Sequence, residues 1–364
     1  MIDQHAHPFA LRGGPLDLPS ISLDVRTDAG GDERRRRHGP ARLFQELLTV
    51  RLAARLGCDP QEVPAARADA SANWGAYCRG LFSDAGISDL VLDAGYAANA
   101  ASHLKDYARL SGCGIHPIFR IEPLLDGLIE GGTGAAEIVA DVEEAMTKAV
   151  ADGAVGFKTI AAYRTGLRID PTATIKDGDA SLRDGLDVPV RRRGKAMRDL
   201  VLRRALGLAA ELGVPIQVHT GFGDSDIRLS EADPLLLEEI LRTPEGSAAT
   251  VVLIHGSYPW HEQLAHLATV QPNVHAEASL HQLFSPLTTA DRLGRILDLA
   301  PATKVLVGTD GHVEPELFWF AASILREAWG EVAARMRAAG ARPGWVEATE
   351  RMLFEDNARR LYGI

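Results

Sequence analysis

Val251-Val252-Leu253-Ile254-His255 sets four aliphatic residues in an unbroken row and ends it on an imidazole. A strand with one wet face alternates apolar and polar residues. An unbroken apolar row of this length fits a strand buried on both faces, as in parallel sheets covered by helices. Seven other short apolar runs resemble it, giving eight candidate strands over 1–4, 89–93, 115–121, 154–160, 214–218, 249–254, 273–276 and 304–307. Between them lie segments of helical periodicity. In 135–151, Ile138, Val142, Ala145 and Met146 form one stripe, and 196–212, 234–241, 260–270, 290–299 and 315–338 are similar. Eight strand–helix alternations predict an α/β chain folded as a (β/α)8 TIM barrel, with 1–364 as a single domain.

Two insertions interrupt the rhythm. The first, about 8–88, follows strand 1. It contains Arg34-Arg35-Arg36-Arg37 and two predicted helices, near 41–56 and 60–81. The second, about 161–194, follows strand 4. Both leave the C-terminal end of a strand, where barrel loops build the active-site mouth, so the 8–88 segment is expected to form a cap or lid. The arginine run is expected to be a solvated loop rather than a docking site for an acidic partner.

Composition narrows the function classes. The 39 Lys+Arg are outnumbered by 49 Asp+Glu, a net charge of −10, which argues against a phosphate-binding, nucleic-acid protein. Hydrophobic residues at 46% against 24% charged exclude a largely disordered chain. No apolar run approaches the roughly 18 residues of a membrane span. Met1-Ile2-Asp3-Gln4-His5 has neither a basic nor an apolar leader region, and Cys58, Cys78 and Cys113 form no CxxC pattern. A cytoplasmic location is expected, with a small-molecule substrate, no nucleic acid and no membrane. A homo-oligomer is compatible with the sequence, although no interface can be pointed to.

Chemistry concentrates at strand ends. In Asp3-Gln4-His5-Ala6-His7, two imidazoles at i and i+2 share one face of a strand and suit zinc or a similar borderline ion. HxH alone also describes ordinary surface or core histidines. Yet His219 closes Val214–Val218, His255 closes the opening run, Asp310 follows Val305-Leu306-Val307-Gly308-Thr309, and Lys158 lies in Val155-Gly156-Phe157-Lys158. Buried without partners, each such group would cost several kcal/mol. A shared cation is the simplest partner.

In order and spacing these positions resemble the amidohydrolase superfamily, and within it the amidohydrolase-related (type 2) branch. The closing Asn357-Ala358-Arg359-Arg360-Leu361-Tyr362 resembles the family's terminal helix, and Gly156-Phe157-Lys158, Tyr163-Arg164-Thr165-Gly166-Leu167 and Thr309-Asp310-Gly311-His312 are together similar to a narrower group. These are the nodulin-type amidohydrolase domains found, in some proteins, fused ahead of a glutamine-synthetase-like domain. The resemblance implies a divalent metal, zinc with manganese as the alternative, as one or two ions.

In the two-ion form, His5, His7 and Asp310 hold the first ion, a carbamylated Lys158 bridges, and His219 and His255 hold the second. In the single-ion form, favoured for this branch, His219 joins His5, His7 and Asp310. His255 is then an acid, a base or a substrate ligand, and Lys158 an electrostatic group. Asp310 accepts the water's proton. Tyr163, Arg164, His281 and His312 are candidate substrate-binding residues, with Arg164 the expected clamp for a substrate carboxylate, and Glu277 is expected to orient a ligand histidine. The implied activity is metal-dependent hydrolysis of a C–N (amide-type) or ester-type bond. A metal-dependent decarboxylase and a non-catalytic ligand-binding barrel are the alternatives.

Overall fold

In the computed structural model, eight parallel strands pair in sequence order. They are β1 (Ile2–Ala6), β2 (Asp89–Asp93), β3 (Gly114–Arg120), β4 (Phe157–Thr159), β5 (Ile216–His219), β6 (Val251–Ile254), β7 (Val274–Ala278) and β8 (Val305–Val307). The structure describes residues 1–24, 30–96 and 99–364. Residues 25–29 of the first insertion lie outside that description. Among the described residues no helix is long and apolar enough to cross a membrane.

Strand faces sort by chemistry. Phe157, Ile216, Val218, Val251, Leu253, Val274, Ala276, Ala278, Val305 and Val307 pack outward in one large core with the surrounding helices. Ile2, Val91, Ile118, Val252, Ile254 and Leu306 fill the barrel interior, closed from below by Ala358 and Tyr362 of the terminal helix Asn357–Tyr362. Burial on both faces is why the sequence reads as continuous apolar runs.

The barrel is nearly closed. Between β8 and β1 the ladder gives way to a side chain: the Asp3 carboxylate accepts from the Thr309 amide (2.8 Å) and the Thr309 hydroxyl. Just above, Asp310 N donates to His5 O (2.9 Å) and His7 N to Gly311 O (2.8 Å).

The first insertion forms helices Gly31–His38, Leu43–Leu56, Val63–Ala70 and Trp74–Ala85, joined by short 3-10 turns. These pack beside the barrel. Phe44, Leu48 and Leu52 meet Leu317, Phe320 and Ala321, while Tyr77, Leu81 and Phe82 meet Phe318 and Ala322 of helix Pro315–Ala338. Among the described residues the helices of the expected cap are mostly a side buttress, and the stretch around Leu23 reaches the mouth. Ser225 N donates to Leu23 O (2.9 Å), and Arg35 Nη1 to Asp24 O (2.8 Å). The arginine run is thus helical, with Arg34 and Arg35 engaged on Asp24.

Candidate active site

Side-chain parity shows how the site is built. Lys158, Gln217, His219 and Glu277 follow simple alternation from outward neighbours and face the interior. The β1 residues do not. Ile2 belongs to the interior cluster and Ala6 to the outer one, although both would share a face on a regular strand. The β1–β2 register shifts between Asp3 and Ala6, and this bulge turns His5 inward beside Gln4. His255 is also out of phase, since Ile254 before it faces inward. A left-handed backbone (φ 71°) turns it back to the interior. Asp310 takes φ 54°.

The result is a cluster at the C-terminal mouth. Donor atoms of His5, His255 and Asp310 lie within 4.8 Å of one another. Asp310 Oδ1 is 3.1 Å from both His5 Nε2 and His7 Nε2. The His5 ring centroid is 4.9 Å from that of His7 and 5.2 Å from that of His255, which is 4.4 Å from that of His219.

The hydrogen bonds behind the cluster assign its protons. Gln217 Nε2 donates to Gln4 O (2.7 Å), so its Oε1 faces His5 Nδ1 (2.7 Å) and accepts there. The His5 proton therefore sits on Nδ1, and Nε2 presents a lone pair. Burial, then the charge of Lys158, lowers the His5 pKa to about 4, so the ring is neutral near pH 7. Burial alone would raise the Asp310 carboxyl, but the surrounding His255, His5 and His7 hold it well below the usual range.

His5 Nε2 and Asp310 Oδ1 are thus two buried acceptors facing each other, and neither makes a hydrogen bond. A cation between them resolves this. Donors about 2.1 Å from one ion at the tetrahedral angle lie about 3.4 Å apart, close to the two Asp310–histidine spacings.

His255 is oriented from β7. Its Nδ1 meets Ser279 Oγ (2.8 Å), which donates to Glu277 Oε2 (2.8 Å), and the same carboxylate oxygen accepts from His255 N (2.9 Å). Burial pushes Glu277 up to about 8. Glu277 thus acts on His255 partly through Ser279, a relay the sequence reading missed. His219 differs: its Nε2 meets the Phe222 carbonyl (3.1 Å), so the proton sits on that nitrogen here.

A cavity of about 190 Å³ opens above the cluster. His7, Lys158, Tyr163, His219, His255, Asp310 and His312 of the predicted set line it. Lys158 is buried, which lowers its pKa to about 8. Tyr163 OH accepts from Asp224 N (2.9 Å), and His312 Nδ1 is 2.9 Å from Asp310 O.

Two predicted substrate residues are placed elsewhere. Arg164 turns away into a buried ion pair with Asp126 (2.8 Å), shared with Arg198 (2.8 Å). Its strand-4 loop makes a 3-10 turn over Ala161–Tyr163, which sends Tyr163 to the cavity and Arg164 behind it. His281 is fully buried behind the cavity wall, accepting at Nδ1 from Arg292 Nε (3.3 Å).

Among the described residues, the lysine and arginines that line the cavity are Arg120, Lys158 and Arg191. Arg120 binds Asp93 (2.6 Å), and Arg191 binds Asp226 (2.8 Å). Arg120 and Asp93 end β3 and β2, the same signal that marked the histidines. Gln217, two residues before His219, was legible by parity as well.

Fold and site together define a TIM-barrel member of the amidohydrolases. The chain matches the amidohydrolase family over residues 124–364 and belongs to it. It is 35% identical over 206 residues to protein fluG of Emericella nidulans, covering 51% of this chain and 23% of fluG. The chain therefore spans only about a quarter of that relative.

Among solved structures, a Lactobacillus casei ATCC 334 protein provisionally named a metal-dependent hydrolase superposes with a TM-score of 0.87 at 24% identity. The match covers 100% of this chain and 94% of that one. A uronate isomerase of Thermotoga maritima gives a TM-score of 0.71 at 12% identity, over 100% and 94% of the two chains. At these identities both likenesses speak for the fold alone.

Proposed function

We propose that this protein is a metal-dependent hydrolase that cleaves a C–N (amide-type) or ester-type bond of a small polar, carboxylate-bearing substrate. The carrying observation is the facing pair of unprotonated acceptors, His5 Nε2 and Asp310 Oδ1, which need a cation to be buried together. The name given to the Lactobacillus casei relative agrees with this reading.

His5, His7 and Asp310 would hold one divalent ion, zinc or manganese, with His219 as fourth ligand once its nitrogen leaves the Phe222 carbonyl. When bound, such an ion lowers the pKa of water toward about 7 and polarises a carbonyl.

The chain's own groups do the rest. Asp310, kept ionised, takes a proton at its free oxygen and returns it to the departing nitrogen or oxygen. His255, held by Ser279 and Glu277 with its proton on Nδ1, directs its bare Nε2 at the cluster, where it accepts a hydrogen bond from the attacking water and orients it. Lys158 and Arg191 attract the substrate carboxylate in place of Arg164, and Leu23, Ile160, Leu280 and Phe284 supply apolar wall. Lys158 serves as an electrostatic group in this single-ion form.

Elemental analysis of the purified protein should find about one zinc or manganese per chain. Amide and ester panels should release amine or ammonia, or alcohol, with the acid. Carbon dioxide release without these products would move the protein to the decarboxylases.

A further inference from the structure

Arg67, on insertion helix Val63–Ala70, is among the largest fully buried side chains, yet it is not part of the cavity lining. Each of its three guanidinium nitrogens donates a hydrogen bond. Nε donates to Glu316 Oε1 (2.7 Å), Nη2 to Glu314 Oε2 (2.7 Å) and Nη1 to the Gly14 carbonyl. The cation lies over the Trp74 ring, 4.7 Å from its centroid, and Tyr77 OH donates to the same Glu316 oxygen (2.8 Å).

These contacts join two particular stretches of chain. Gly14 ends the segment leaving His7, and Glu314 and Glu316 end the segment leaving Asp310. Between the ligands and Arg67 the two segments pair along their backbones. His7 N donates to Gly311 O (2.8 Å), Val313 N to Pro8 O (3.0 Å) and Ala10 N to Val313 O (2.7 Å). Asp310 (φ 54°) and Val313 (φ 58°) both hold left-handed backbone, which side-chain-bearing residues keep only where the surroundings enforce it.

We propose that Arg67 is a positioning residue. By cross-linking the β1 and β8 exit segments, it holds His7 and Asp310 at ligating distance, and the insertion thereby sets the affinity of the metal half-site. This rests on the metal reading above. A fork of this kind is not replaced by lysine, whose single ammonium cannot span three acceptors.

The test uses the full chain stripped of metal, with zinc itself as the probe in a competitive chelator titration. R67K keeps the buried positive charge and should bind zinc about tenfold more weakly, as expected for loss of a group that orients ligands. Amide exchange at 311–314 should quicken. L202A, a core change on the far helix Lys195–Leu212, controls for general destabilisation and should leave zinc affinity unchanged. If R67K does not fold, E314Q removes one arm, leaves the Arg67–Glu316 pair, and should weaken binding in the same direction.

Affinity within twofold of wild type in the folded variant overturns the clamp, and so does an equal loss in L202A. A wild-type chain that takes no zinc or manganese overturns the metal reading itself.

Discussion

The two sides of the site are prepared to different degrees. On the β1–β8 side, His5, His7 and Asp310 already converge with both spacings at 3.1 Å, and backbone bonds tie their segments together. On the β5 side, His219 spends its Nε2 on the Phe222 carbonyl, in a loop that carries Gly221 and Gly223. Gly223 has no room for a side chain, because a Cβ there would meet the Tyr163 hydroxyl. One half is thus a preformed claw, while the other is a histidine parked on its own loop. Preformed donors lower the ordering cost of binding. On the single-ion reading proposed above, His5, His7 and Asp310 would hold the ion first and His219 would join them once its Nε2 leaves the Phe222 carbonyl.

The largest effect should come from the claw. D310N should abolish metal retention and lower turnover by about ten-thousandfold, because it removes a ligand and the proton acceptor together. Normal metal content in that variant would break the comparison.

The next test separates the two inner histidines. H219N should lose most of the bound metal. H255N should keep it near the wild-type level while turnover falls about a hundred- to a thousandfold. The reverse pattern would make His255 the ligand and His219 the outlying group.

S279A, which cuts the relay from Glu277 to His255, should lower kcat by about tenfold or more with metal content intact, which elemental analysis and steady-state kinetics would check.

The smallest effects concern the arginines. R191M should raise KM for a carboxylate-bearing substrate by about tenfold with kcat held. R164M should leave KM alone and lower the unfolding midpoint, because it removes a buried guanidinium from its pair with the half-buried Asp126 carboxylate. A KM effect confined to R164M would return Arg164 to the substrate.

Most of the frame was legible from pattern. The eight apolar runs became the eight strands, because parallel strands buried on both faces tolerate few polar residues. The polar groups ending them stood out against that background, which is why His219, His255, Lys158 and Asp310 could be picked without a structure. Arg164 lies off the cavity for a local reason. Tyr163 and Arg164 are adjacent, and only the 3-10 turn decides which faces the cavity. His281 failed because Leu280 before it takes φ 59° and faces the cavity in its place. The packing of the insertion helices beside the barrel was not legible, because helical periodicity shows that an amphipathic face exists but does not name what it packs against.

The sequence alone determined which residue types stand at which strand ends, and hence the barrel and its candidate ligands, because burial and strand alternation are local constraints written in residue spacing. Tertiary structure alone decided where those groups point. The β1 bulge turns His5 inward, a left-handed residue recovers His255 from the wrong face, and Gln217 selects the nitrogen of His5 that stays bare. Each depends on partners up to 212 residues away in the chain, and such contacts leave no local trace.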